Sequence, residues 1–485
     1  MSCAPKYLMI LNTICDTIEG FDLLEGAARM GKFLKSAVIG ICSLIFFDSN
    51  CVTLKITCRA KGIELLLFQE AINEWIKLTG NQHKVEIVTL PHSSNECFAL
   101  YKQWLSAESF DVDILQMDFP WIGAFGDVLV DLNQFYKDGK IDEEDIFTTI
   151  RDNMYFNGKM VALPAYTDCE VMYYRKDLLQ KHNRSVPSSW QELYETAKFI
   201  QEQERKTNNR FYGYVFQAKA FEMLTCNFVQ LIDTFGGTVI NSEGRAVVNS
   251  QECVDALILL INCLKNASTK SVLNYSEEEA RGLFQSGNAL FMNSWPYAWS
   301  LMNDPGTVVS GRIGVMPIPT GNMVKGKSSG VIGGWFFTVS KYSKHAAIAA
   351  DLVKFLTSKA QHKIRAKFAY APAYKSLYKD SEILKKNSFF AVLSNSLENA
   401  VARPSSTFGK DYPRASHEIF NIINTALTES LEEVNVEKIS KKYLGRLNKK
   451  LNNIIDRQKK SKEKKSSKSL FQKFVDMLKS FFGSN

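Results

Sequence analysis

Residues 289–301 read ALFMNSWPYAWSL, a short apolar run followed at once by three aromatic rings around a proline. The run predicts a buried strand, and Pro296 fixes φ for the start of a helix. Trp295, Tyr297 and Trp299 therefore fall where a strand ends. Flat rings edged by amide and hydroxyl groups suit a sugar, whose C–H faces stack while its hydroxyls need directional partners. The alternative is that the rings are core aromatics.

Composition and charge exclude several classes of protein. The 485 residues are 45% hydrophobic and 23% charged, which is ordinary for two or three globular domains. Residues 438–485 hold 15 Lys or Arg against three acidic residues, a net charge of +12. Because the whole chain has a net charge of +8, the first 437 residues sum to about −4. The body is therefore not expected to bind nucleic acid. The ten cysteines show no CxxC pair and no zinc spacing with histidine, so neither a metal site nor a cofactor is predicted.

Residues 30–50 have the layout of a secretory signal peptide, because lysines precede an almost wholly apolar run of twelve residues. That run is too short to span a bilayer as a mature helix. We expect Met30 to be the true start and residues 1–29 to be a doubtful extension. The mature chain would begin near Asn50 or Cys51 and would be located in the periplasm or cell envelope.

Strand and helix patterns then alternate. In order they are Val52 to Cys58, Gly62 to Leu78, Val85 to Leu90, Cys97 to Leu105 and Val112 to Met117. This βαβαβ order predicts an α/β fold with a parallel sheet, and ligands bind beyond the carboxyl ends of such strands. Asp118 would lie at one such end, although it could instead cap the following helix. Further on, a break at Pro164 to Asp168 is expected to place Tyr166 and Asp168 between two strands.

The C-terminal sequence is basic. A lysine-rich helix is predicted after Asn435, followed by the low-complexity segment Arg457 to Ser469. Leu470 to Phe482 places apolar residues on one helical face and lysines opposite. Such a segment can lie on an anionic bilayer or dock on a partner, and a frayed or weakly docked helix is the alternative.

Six segments together resemble the extracellular solute-binding proteins of ABC sugar importers, specifically the maltose/trehalose type. They occur in the family's order and approximate spacing, over residues 52 to about 435. The segments are QMDFPW at Gln116 to Trp121, ALPAYTDCEVMYYRKDLL at Ala162 to Leu179, VPSSWQEL at Val186 to Leu193, FMNSWPYAW at Phe291 to Trp299, GGWFFTVS at Gly333 to Ser340 and ARP at Ala402 to Pro404.

The resemblance implies a two-lobed periplasmic-binding-protein fold of the α/β class, with a cleft and a multi-strand hinge. Its expected divisions are 51–161 with about 312–375 in lobe 1, 162–311 with about 376–437 in lobe 2, and 438–485 as a basic tail with a terminal amphipathic helix. Such a monomeric protein would hand its sugar to the membrane subunits of an ABC permease, and it would not be an enzyme.

The ligand-binding residues that the resemblance implies come from both lobes. They are Asp118, Tyr166, Asp168, Trp295, Tyr297, Gly334, Trp335 and Arg403. The aspartates and the first tyrosine would hydrogen-bond sugar hydroxyls, the rings of the ALFMNSWPYAWSL stretch would stack, and the Gly-Trp pair would line the cleft at a lobe crossover. Arg403 would donate its N–H groups to the sugar.

Three alternatives stay open at this point. The turn CRAKGIE departs from the family pattern, so Arg59 or Lys61 facing the cleft would favour an anionic glycerophosphate, glycerophosphodiester or sugar phosphate. Asp118 and Asp168 could form the carboxylate pair of a glycoside hydrolase, although no catalytic motif accompanies them. The basic tail could serve attachment to the cell envelope.

Overall fold

In the computed structural model, the described residues are 51–59, 62–91, 94–136, 141–321 and 324–482, with the backbone alone for residues 462 and 464–482. The predicted signal peptide at 30–50, the extension at 1–29 and Lys61 lie outside this range. The described chain forms two compact units. The smaller consists of residues 51–53 and Ile76–Lys84, with a turn through Gly80 at φ +69°. The main unit comprises Leu54–Trp75 and the chain from Val85 onward, and the described chain has three β-sheets, of five, four and two strands.

The βαβαβ prediction at the start of the chain is confirmed. The elements are β1 Val52–Cys58, α1 Gly62–Leu78, β2 His83–Thr89, α2 Ser94–Ser106 and β3 Ile114–Asp118. Phe68 and Ile72 of α1 are buried one turn apart, which is the helical spacing that the sequence shows. β1 and β3 pair in parallel, with Ile56 opposite Ile114.

The first sheet has five strands in the order β2-β1-β3-β11-β6, where β6 is Leu163–Cys169 and β11 is Ile332–Val339. β11 is antiparallel to both of its neighbours, so the sheet is mixed. All eight residues of β11 are buried. The smaller elements near this sheet are α3 Ile122–Phe125, α4 Thr148–Asp152, β4 Tyr155–Phe156, β5 Lys159–Met160, α11 Ala346–Leu356, α12 Lys359–Ala366, α13 Ser381–Lys386 and α14 Phe390–Glu398.

The second sheet has four strands in the order β10-β7-β9-β8. They are β7 Val171–Arg175, β8 Tyr212–Val215, β9 Ala289–Ser294 and β10 Ile313–Met316. β9 is the apolar run of the ALFMNSWPYAWSL stretch and is buried throughout, as its composition predicts. The remaining helices are α5 Lys176–Lys181, α6 Trp190–Glu204, α7 Glu222–Thr234, α8 Gln251–Ala267, α9 Glu277–Gln285, α10 Ala298–Met302, α15 Ser405–Phe408, α16 Tyr412–Ser430 and α17 Val436–Phe482.

Each sheet with its helices is one lobe, and backbone hydrogen bonds join the segments that cross between the lobes. Glu170, between β6 and β7, donates its N–H to Val331 O at 3.2 Å, and Ile332 N–H donates to Val401 O at 2.8 Å. Gly330 is required in this junction, because a Cβ there would lie 2.3 Å from Glu170 O. This is the two-lobed α/β fold with a multi-strand hinge.

The strand pairings show which strand belongs to which lobe, and therefore where the chain crosses between the lobes. β6 lies in the five-stranded sheet, so the first crossing falls after Cys169 and not at residue 162. β10 lies in the four-stranded sheet, so the second crossing falls near Gly330 and not at 312. α14 packs on β6, which extends the first lobe beyond residue 375. These positions depend on long-range strand pairing, which the local pattern does not encode.

Much of the segment that the sequence groups with the tail belongs to the second lobe. α17 packs on α16 and α8, and its Leu444, Leu447 and Leu451 are fully buried. The Asn452 side chain binds both backbone groups of Ala246, at 3.1 and 3.0 Å. Nowhere in the described chain is a helix both long enough and apolar enough to span a membrane.

Candidate functional site

Three neighbouring strands bring four of the implied residues together. Trp335 on β11 pairs with Asp118 on β3 and, on its other side, with Tyr166 on β6. Two residues earlier, Gly333 pairs with Asp168. The prediction of a break at Pro164 to Asp168 is therefore wrong. A proline is tolerated here because β6 is an edge strand and a register shift accommodates it.

Gly334 occupies a position that only glycine fits. Its φ is +116°, and an added Cβ would lie 2.6 Å from Tyr166 O and 2.7 Å from Thr167 Cα. The close approach of β6 to β11 thus requires the absence of a side chain. The backbone of Gly334 therefore lies directly against Tyr166 and Thr167 of β6.

The Trp295 ring meets Asp168 at Gly333. A Cβ on Gly333 would lie 2.8 Å from Trp295 Cζ3 and 3.5 Å from Asp168 Cβ. Trp295 follows β9 in the second lobe, whereas Asp168 is in β6 of the first. The Tyr173 hydroxyl donates to Trp295 O at 3.0 Å, which fixes the backbone carrying the ring. The Trp295 ring of the second lobe and the Asp168 side chain of the first therefore both lie against Gly333.

The other two rings of this stretch have protein partners. The Tyr297 hydroxyl donates to Glu278 Oε1 at 2.7 Å, and burial together with that carboxylate raises the pKa of Tyr297. The Trp299 ring lies 5.2 Å from the ring of Phe389, centre to centre. Trp295 is therefore the ring of the three that the structure brings to Asp168, the carboxylate of β6.

Arg403 lies among carboxylates rather than in open solvent. Its Nη2 donates to Asp118 Oδ1 at 2.6 Å and its Nη1 to Asp118 Oδ2 at 3.2 Å. Nη1 also donates to Glu222 Oε1 at 2.9 Å, so one guanidinium joins the first lobe to the second. Asp118 makes no side-chain cap to the following 3-10 helix, which removes the capping interpretation. Two of the implied sugar contacts are thus paired with each other.

Asp168 is a half-buried carboxylate in β6. Burial raises its pKa well above the ordinary value, and the neighbouring charges of Glu64 and Asp118 raise it further. No residue in the described ranges donates a hydrogen bond to its carboxylate. A hydroxyl group of a bound molecule would supply the missing donor.

Glu64 is a site residue that the sequence analysis missed. Burial raises its pKa to about 7, against a hydrogen bond from Tyr166 and the positive charges of Arg59 and Arg365. Its Oε1 is buried without a hydrogen-bond partner among the described residues. A carboxylate in the first turn of the helix after β1 was the available signal, because that turn lies at the carboxyl end of a strand.

Arg59 faces the site, as the CRAKGIE turn suggested. Its guanidinium lies 4.6 Å from the centre of the Trp335 ring, a cation–π contact. Burial raises the pKa of Glu277 at the start of α9, and the charge of Arg59 opposes that rise. The Arg59 guanidinium therefore interacts electrostatically with a carboxyl group from each lobe, Glu64 in the first and Glu277 in the second.

Two α/β lobes, joined by hydrogen-bonded crossing strands and carrying rings and carboxylates that face one another, define a bilobal solute-binding protein. Residues 63–363 match the family described as bacterial extracellular solute-binding protein. The chain belongs to this family, whose members serve ABC importers. Membership implies an exported protein, which agrees with the signal peptide predicted at residues 30–50.

Relatives and solved structures agree with this assignment. A "probable ABC transporter-binding protein" of Deinococcus radiodurans is 36% identical over 403 residues, covering 82% of this chain and 94% of that protein. The structure of maltose-bound T. maritima MalE3 matches with a TM-score of 0.71 and 32% identity, and the match covers 82% of this chain and 100% of that chain. A solute-binding protein of Agrobacterium vitis S4 with bound D-mannitol matches with a TM-score of 0.69 over 83% of this chain and 99% of that one, and at 19% identity it shows the fold alone.

Proposed function

We propose that this protein binds a neutral sugar, of the maltose-like disaccharide or polyol class, between its two lobes and delivers it to an ABC permease. The observation that carries the proposal is that the Trp295 ring and the Asp168 side chain, from different lobes, both lie against Gly333. Stacking on the ring would cover a C–H face of the sugar while the carboxylate accepts a hydroxyl hydrogen. The T. maritima structure holds maltose and the A. vitis structure holds D-mannitol, which supports a sugar or a polyol.

The position of these groups on different lobes explains how ligand would drive closure. Trp295 comes from the second lobe and Asp168 from the first, so only a closed cleft makes both contacts. A ligand that interacts with both lobes stabilises the closed state by its differential affinity for it.

The charge of the site favours a neutral ligand over a phosphorylated one. Four carboxyl groups influence one another here, those of Glu64, Asp118, Asp168 and Glu277. They outnumber the three guanidinium groups of Arg59, Arg365 and Arg403. A phosphate would add negative charge beside Asp168, whose pKa is already raised by burial and by its acidic neighbours. The glycerophosphate alternative is therefore less favourable.

The same pairing argues against glycoside hydrolysis. Asp118 is held in two hydrogen bonds by Arg403, at 2.6 and 3.2 Å, and a carboxylate so engaged is a poor proton donor or nucleophile. The Asp118–Asp168 pair that the sequence suggested therefore lacks a free second carboxylate for this reaction. Binding without chemistry accounts for both residues.

A thermal-shift screen of the mature chain, residues 51–485, tests the proposal. The panel is maltose, trehalose, sucrose, mannitol and glycerol phosphate. A neutral ligand at a hundredfold excess over its Kd should stabilise the folded state by about 2.7 kcal/mol. Asp168→Asn should reduce the shift, whereas Asp127→Asn, which removes an exposed carboxylate elsewhere in the first lobe, should not. A shift with glycerol phosphate alone, or none with any member, would refute the proposal.

A further inference from the structure

The C-terminal part of α17 is a feature that solute binding does not explain. The helix runs without interruption from Val436 to Phe482. Gln458 still binds the second lobe, since its Nε2 donates to Asp411 Oδ2 at 2.8 Å. Immediately after it, Lys459 and Lys460 are exposed. The helix continues for another 24 residues, which corresponds to about 36 Å at 1.5 Å per residue.

This end of the helix carries the positive charge of the protein. Residues 457–482 contain nine Lys or Arg and two acidic residues, a net charge of +7. The rest of the chain, which includes the part of α17 packed on the second lobe, sums to about +1. An anionic surface would therefore attract the end of α17 far more strongly than the lobes. At 100° per residue the lysines at 459, 460, 464 and 465 fall on different sides of the helix. The attraction to an anionic surface therefore does not depend on how the helix is rotated about its axis.

The last thirteen residues of α17, 470–482, add an apolar face. At 100° per residue, the apolar positions fall within an arc of about 160°. They are Leu470, Phe471, Phe474, Val475, Met477, Leu478, Phe481 and Phe482. The charged positions, Lys473, Asp476 and Lys479, fall on the remaining arc. Basic charge with a broad phenylalanine-rich face is the pattern of helices that lie in a membrane interface.

We propose that residues 457–482 bind the surface of an anionic lipid bilayer and hold this binding protein at the membrane. The apolar face inserts between headgroups while the lysines pair with anionic lipid. A membrane-spanning role does not fit, because a stretch of thirteen residues with three ionised side chains is too short and too polar. Association with a second copy fits less well, because the apolar arc is wider than a coiled-coil seam and the two basic stretches would repel.

Vesicle flotation of residues 51–485 tests this. The vesicles are phosphatidylcholine alone or phosphatidylcholine mixed with phosphatidylglycerol. The chain should float with the anionic vesicles only, and less at high salt because the charges are screened. Replacing the lysines at 459, 460, 464 and 465 by Gln should weaken the binding at least about a hundredfold, since each basic residue near an anionic surface contributes roughly fivefold.

Matched variants distinguish a loss of membrane binding from an effect of the substitutions on folding. Lys385, Lys386, Arg446 and Lys449 are exposed on the second half of the chain, and replacing all four by Gln removes the same charge without touching the proposed segment. That variant should bind anionic vesicles like the unchanged chain. Phe474→Glu with Phe481→Glu should abolish binding to vesicles while the melting temperature and its response to sugar stay unchanged.

Three outcomes would overturn the proposal. They are equal flotation with neutral and anionic vesicles, no flotation with either, and a dimer in sedimentation that the phenylalanine variant converts to a monomer without any binding to vesicles. None of these outcomes depends on which solute the cleft binds. A failure here is therefore distinguishable from a failure of the sugar screen.

Discussion

Replacing Arg403 by Met tests whether the arginine is a structural bridge between lobes. Its side chain is 5% exposed, and it pairs with Asp118 at 9% and Glu222 at 17% exposure. Glu222 keeps hydrogen bonds from Tyr412 and Ser416 after the change, but Asp118 loses both of its donors. Removing one partner of a buried ion pair costs about 3 to 5 kcal/mol, because the other charge stays buried. We expect a loss of that size in the free energy of unfolding.

The assay is urea denaturation of the ligand-free mature chain at neutral pH, analysed by linear extrapolation. Arg175→Met is the matched control. Arg175 is similarly buried and donates twice to Asp177, at 2.8 and 2.6 Å, but Asp177 is 35% exposed. Water can hydrate that carboxylate after the change, so the control should lose about 1 kcal/mol.

A double variant sharpens the test. Adding Asp118→Asn to Arg403→Met removes the unpaired charge, so part of the lost stability should return. The reasoning is refuted if Arg403→Met destabilises no more than Arg175→Met, or if the added Asp118→Asn makes the protein still less stable. Either result would mean that water reaches this pair in the ligand-free protein.

Three further predictions concern the cleft and the hinge. Trp295→Ala should weaken sugar binding by about 1 to 3 kcal/mol in calorimetry, since a central ring is lost, and a fall in melting temperature with unchanged affinity would identify the ring as a core residue instead. Gly333→Ala should also weaken binding, at least tenfold, because its Cβ would lie 2.8 Å from the Trp295 ring and displace it from Asp168; unchanged affinity would contradict the stacking role. Burial raises the pKa of Glu170 from 4.5 to about 8, so its contribution to stability is present at low pH and is lost as the pH rises towards 8. The unchanged protein should lose about 2 to 3 kcal/mol between pH 6 and 9 from this group, and Glu170→Gln should lose less over that range in urea denaturation; equal slopes would exclude Glu170 as the cause.

The sequence predicted the elements well where a local pattern determines them. The run before Trp295 is a buried strand, and the pattern from Gly62 to Leu78 is a helix with Phe68 and Ile72 buried one turn apart. Apolar periodicity acts within a few residues, so the sequence alone displays it. The family resemblance likewise depends on short segments in a fixed order.

The lobe boundaries and the partners of the site residues needed the tertiary structure. β6 joins the first sheet through its pairing with β11, and Arg403 reaches Asp118 across 285 positions of the chain. A local reading therefore made Pro164 a strand break and passed over Glu64, and the family resemblance did not show that Arg403 pairs with Asp118. None of these long-range contacts produces a periodic pattern in the local sequence.

The sequence by itself thus determined that this chain is a two-lobed α/β binding protein with aromatic rings at a strand end. Only the tertiary structure decided that Trp295, rather than Tyr297 or Trp299, meets Asp168, and that the meeting point is Gly333. The physical reason is that hydrogen bonding and burial patterns are encoded over a few residues, whereas the neighbours of a side chain in a cleft are set by how two sheets are joined through a hinge.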